Sequence, residues 1–213
     1  MIIYKLILYV VQMCNSFCIK KCLNFNMKRI IFVLLAILLF QISSFAEEIH
    51  FNNDVYTLKY SAIAPQTEGY GNEYFLKNED VGKWTKMIGV YYYPKESNPL
   101  KFAENFDKTI ENTENSVLLK LIENKKADKA AISFLVNGCE NAKKYFEYDI
   151  YKFEKSQFKG MVVLKYAVKH YFTNNEEIKS IAEKIKKEND KYLETIITSP
   201  IPTVIEMDIP VHE

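Results

Sequence analysis

The sequence predicts an α+β domain, an antiparallel β-sheet covered by helices and preceded by a signal peptide. Three observations predict the domain. Short runs of β-branched and aromatic residues recur along the chain with turn-formers between them. Two stretches, from Asn98 and from Thr173, switch to helical spacing. The connections between the later strands are too short for parallel crossovers, so neighbours should run antiparallel.

The elements follow in order. Ile49 to Phe51 and Val55 to Tyr60 are short apolar runs separated by Asn52-Asn53-Asp54, the turn chemistry of a β-hairpin. From Ala64 to Lys83 the chain is rich in turn-formers and charges, with Tyr70, Tyr74, Phe75 and Leu76 embedded, and reads as a long loop with room for a short strand. Trp84 to Tyr93 is the clearest strand, ended by Pro94. Asn98 caps a helix whose first position is Pro99, which suits a residue with no amide hydrogen. Phe102, Ala103, Phe106 and Ile110 give that helix one apolar face.

Four strands are expected next, at Val117–Ile122, Ala130–Val136, Tyr145–Phe153 and Met161–His170. In the third, Phe146, Tyr148 and Ile150 alternate with Glu147 and Asp149, the pattern of a strand with one wet face. Asn137-Gly138-Cys139-Glu140-Asn141 reads as a hairpin turn. Thr173-Asn174-Asn175-Glu176 is a capping-box sequence opening a long amphipathic helix to about Ile197. Pro200, Pro202 and Pro210 make the tail extended and loosely attached.

Before this domain, Met27-Lys28-Arg29 precede the unbroken apolar run Ile30 to Phe40, and small residues Ser44 and Ala46 follow, the three-part signature of a secretory signal. Cleavage is expected after Ala46. The apolar run falls well short of the roughly 20 residues a membrane-spanning helix needs. Residues 1–26 read as upstream sequence from a misassigned start; Cys14, Cys18 and Cys22 there have no histidine or carboxylate beside them. The expected layout is therefore 1–26 upstream, 27–46 signal peptide, 47–198 a single α+β domain, and 199–213 a Pro-containing extended tail.

Of the 28 basic residues five precede Glu47, so the remainder carries 23 basic against 27 acidic groups, a net charge of −4. That opposes binding to nucleic acid, and contact with a membrane is expected only during export. Arg29 is the one arginine, so the expected mature chain lacks the usual planar fork for phosphate. Cys139 is its single cysteine, and no intramolecular disulfide is available to it.

Asn72-Glu73-Tyr74, Trp84-Thr85-Lys86, Val90-Tyr91-Tyr92-Tyr93-Pro94 and Leu121-Ile122-Glu123-Asn124-Lys125 resemble segments of a family of uncharacterised exported bacterial proteins. The order of strands, covering helix, four strands and terminal helix also resembles the α/β/α sandwich of PsbP-like proteins. The resemblance implies that sandwich and a non-enzymatic, binding-type domain, and it supplies no active-site residues.

His50, His170 and His212 are not spaced as metal ligands, and none of the six glycines forms a phosphate-cradling loop, so no cofactor or metal is implied. The expectation is an exported binding or interaction module, in the periplasm or outside the cell, without catalytic activity. Its partner is an envelope or extracellular protein, a peptide or a small ligand. Aromatic side chains offer rigid contact area with a polar handle, which places the candidate surface at Tyr70, Glu73, Tyr74, Trp84, Tyr91 and Tyr93. The alternative is a small envelope hydrolase or thiol-dependent enzyme using Cys139, with His170 as its base, or a carboxylate pair such as Glu73 and Asp80.

Overall fold

The computed structural model describes residues 48–64, 68–157 and 159–204, all within the unit Phe45–Glu213. The expected signal peptide, Cys14, Cys18, Cys22 and His212 lie outside the described residues. Eight strands form one sheet: β1 (Glu48–Phe51), β2 (Asp54–Ala64), β3 (Gly69–Leu76), β4 (Lys86–Tyr93), β5 (Ser116–Asn124), β6 (Lys129–Glu140), β7 (Lys143–Lys155) and β8 (Met161–Phe172). Two helices accompany them among the described residues, α1 (Pro99–Glu111) and α2 (Asn175–Thr198). The strand order is β1-β2-β3-β4-β8-β7-β6-β5 and every pairing is antiparallel. Two meanders thus meet where β4 pairs with β8, with Met87 opposite Ala167 and Gly89 opposite Lys165.

Local chemistry explains the turns and ends. Asn52 and Asn53 both take positive φ, 50° and 67°, as a two-residue turn between right-twisted strands requires. The β6–β7 turn is built the same way by Asn141 and Ala142, at 50° and 62°. It lies beyond the expected turn at Asn137–Asn141, because β6 runs on to Glu140. The Asn98 side chain accepts from the Lys101 amide, with Pro99 at the first turn of α1. In α2 the cap is Asn174, not Thr173: its side chain accepts from the Glu177 amide at 2.9 Å, and the Glu177 carboxylate accepts from the Thr173 amide at 2.6 Å.

Alternation along the strands separates two faces. On the first, Tyr56, Tyr74, Ile88, Val90, Tyr148, Ile150, Leu164 and Tyr166 pack with Ile185, Leu193 and Ile196 of α2. On the second, Ala130, Ile132, Phe134, Phe153, Met161 and Val163 pack with Ala103 and Ile110 of α1. The tail is held rather than loose as far as it is described. Ile201 and Val204 pack on the first core, and the buried Lys152 ammonium donates to the Ser199 carbonyl at 2.8 Å.

The expected α/β/α sandwich is not formed. The protein is mostly an eight-stranded antiparallel sheet with two helices. Eight strands about 4.8 Å apart make a sheet more than 30 Å wide, whereas a helix with its side chains is about 10 Å across. One helix per face cannot make a layer: α1 rests on β5, β6 and β7, and α2 on β6, β7 and β8. These main contacts fall on β5 to β8, while Phe102 of α1 also reaches Tyr93 of β4 and α2 shares the first core with residues of β1 to β4.

Candidate functional site

The six aromatic and acidic residues that the sequence singles out do not share one surface. Cross-strand pairing puts Tyr70 and Tyr74 on the first face and Glu73, Tyr91 and Tyr93 on the second. Tyr74 is fully buried in the first core. The expected loop from Ala64 to Lys83 is corrected as well. Gly69–Leu76 is strand β3, whose Asn72 is buried and donates to Ser61 Oγ at 2.7 Å.

On the second face, Glu73 and Tyr91 meet. The Tyr91 hydroxyl donates to Glu73 Oε1 at 2.9 Å. Burial first, and then the Glu73 charge, hold that hydroxyl well above the ordinary tyrosine range, so it remains a donor. The Tyr91 ring lies over two glycines. A Cβ at Gly89 would stand 2.5 Å from the ring, and one at Gly71 3.1 Å from it. Glycines that sequence reading takes for loop punctuation are here the flat bed of an aromatic side chain. Beside them runs a groove of about 290 Å³, with Ala62, Ala64, Gly69 and Gly71 in its floor and Tyr60, Tyr91 and Tyr93 along it. Tyr93 marks the border with α1, its ring 5.5 Å from that of Phe102.

Next to this groove the second face carries buried charge. Lys165 Nζ lies 3.1 Å from Asp149 Oδ1 and 3.2 Å from Glu147 Oε1, and 5.5 Å from the centre of the Tyr151 ring. Asp149 is only 3% exposed. Burial pushes its carboxyl up to about 6 against the pull of Lys165. Burial also opposes the Lys165 charge, but Asp149, Tyr151, Tyr91 and Glu147 outweigh it and hold the ammonium well above its ordinary range. The alternation that reads as a wet face is therefore a buried ionic row. The signal for it in the sequence is Lys165 itself, set inside the apolar run Met161 to Val168.

Trp84 sits elsewhere on the second face, in the short connection from β3 to β4. Its ring lies 6.3 Å from that of Phe75, and the Lys169 ammonium stands 4.2 Å above it. Lys169 also approaches Tyr145 at 4.9 Å and pairs with Glu140 at 2.9 Å. Glu79 braces the same connection, accepting from the Thr85 and Lys86 amides. Trp84 thus holds a connection against the sheet.

The alternative catalytic groupings are not assembled. Glu73 bonds Tyr91, whereas Asp80 Oδ1 accepts from the Gly82 and Lys83 amides and shapes a turn. Cys139 is exposed near the end of β6 and free. His170 is on β8, across β7, held below its ordinary range by burial and by Lys184. His50 is exposed on β1. Among the described residues no group of three or more histidines, cysteines and carboxylates has the geometry to hold a metal ion. No helix among them is long and apolar enough to cross a membrane.

A family model matches residues 43–201, and the family it describes is uncharacterised. No curated protein and no solved structure matches the chain.

Proposed function

The chain belongs to this uncharacterised family, and from that premise we propose that it is an exported, non-catalytic binding module whose contact surface is the tyrosine-lined groove of the second sheet face. The observation that carries the reading is the groove itself. A floor of alanines and glycines beside three tyrosines lies on the second face of β2, β3 and β4, beside α1 rather than under it. Tyrosines add contact area with two side-chain torsions and a polar tip, so they bind at low entropic cost. A floor without large side chains lets a partner approach the backbone. Export is supported by the charged, apolar and small-residue pattern of residues 27–46.

The test is a cross-linking capture from the envelope fraction of the producing cell, using the full chain and two variants. Tyr60→Ala removes a groove wall, whereas Trp84→Ala alters the connection that lies away from the groove. Capture of one partner that is lost with Tyr60→Ala and kept with Trp84→Ala is the expected outcome. Capture unaffected by Tyr60→Ala, with the fold intact by circular dichroism, refutes the placement.

A further inference from the structure

We propose that the groove takes a cation, specifically a lysine or arginine side chain presented by a partner protein, with Glu73 as its counter-charge. This rests on the binding-module reading and names the ligand chemistry of the same surface. The basis is how charge is shared on the second face. Lys165 is committed to Asp149 and Glu147, at 3.1 and 3.2 Å. Glu73 is left with a neutral phenol: among the described residues its carboxylate has the Tyr91 hydroxyl as hydrogen-bond partner and no ion pair. The row therefore has three carboxylates to one ammonium, and the uncompensated one, half-buried, stands beside the groove, opposite Tyr60 of its wall. A partly desolvated carboxylate without a counter-ion is costly by itself and gains from an incoming cation.

Position and size agree with this. Glu73 stands directly opposite Tyr60 in the β2–β3 register and two residues along the same face from Gly71. A cation lying along Tyr60 and Tyr91 thus meets aromatic faces on the way to the carboxylate, and both attract it. About 290 Å³ is at the lower limit for small-molecule and cofactor sites, roughly 300–1,000 Å³. It accommodates one long side chain with its stem against the apolar floor.

The experiment titrates the purified full chain with three blocked tripeptides, Gly-X-Gly, in which X is lysine, arginine or the uncharged norleucine, and follows the amide resonances of Ala62, Gly69 and Gly71. Butylammonium is a fourth probe. The lysine and arginine peptides should shift these amides and norleucine should not. Glu73→Gln, which still accepts the Tyr91 hydroxyl, should weaken the cationic peptides about tenfold. Norleucine binding as well as lysine, or Glu73→Gln leaving lysine binding unchanged, overturns the cation while the groove stands as a contact surface. Butylammonium binding as tightly as the lysine peptide overturns the protein partner in favour of small amines. Silence of the floor amides to every probe overturns the proposal, and the Tyr60→Ala capture then decides separately whether the groove binds at all.

Discussion

Asp149 shows how little a residue type says until its surroundings are known. In the sequence it alternates with Tyr148 and Ile150 as a solvent-facing position would, yet β8 and β6 enclose it from both sides and leave it 3% exposed. Its ordinary value is 3.8, and burial raises it to about 6. A carboxyl whose pKa is raised on folding binds more protons in the folded state over that interval. Its contribution to stability is therefore full below about pH 4 and lost as pH rises to about 6. In Asp149→Asn this dependence disappears. Urea denaturation from pH 4 to 6.5 should show wild-type stability falling relative to the variant, by on the order of 2 kcal/mol. His170, lowered by burial, has the opposite slope below its ordinary value of 6.5, but it is common to both proteins and cancels in the difference. A difference that stays flat with pH would show that Asp149 is charged throughout.

At the scale of elements, capping was legible to within one position. The sequence pattern points to Thr173 and Glu176, and the structure uses Asn174 and Glu177, one residue on. The two registers share the same chemistry, a short polar side chain three residues before a carboxylate, and Asn and Thr both serve as caps. They predict opposite rankings. Asn174→Ala should cost about 1 kcal/mol and Thr173→Ala less, since the Thr173 hydroxyl makes an exposed contact with Glu177 at 3.1 Å. Chemical denaturation of the two variants measures the ranking, and the reverse order would restore Thr173 as the cap. The β3 strand was legible only as room for a short strand within a long loop. Gly69, Gly71 and Asn72 are turn-formers by type, and only the Tyr91 ring over Gly71 and the Asn72–Ser61 hydrogen bond make them strand residues.

For the whole molecule, the proposed export predicts a mature chain that starts at Glu47. The intact mass of the protein recovered from the envelope or medium checks this, and a recovered peptide from residues 1–26 would contradict it. The sequence by itself determined the positions of most strands, both helices among the described residues and the turn at Asn52–Asn53, because spacing, capping and turn chemistry act over a few residues. It also determined that residues such as Tyr91 and Glu73 warranted attention. Only the tertiary structure decided that β4 pairs with β8 in one wide sheet, that both helices rest chiefly on its β5–β8 half, and that Tyr74 and Tyr91 face opposite ways. It alone brought Glu73 beneath the Tyr91 hydroxyl and enclosed Lys165 with Asp149. Partner choice between strands about 80 residues apart depends on which faces are buried together, and a one-residue change of register reverses every side chain. That information resides in the packed sheet and not in any local stretch of the chain.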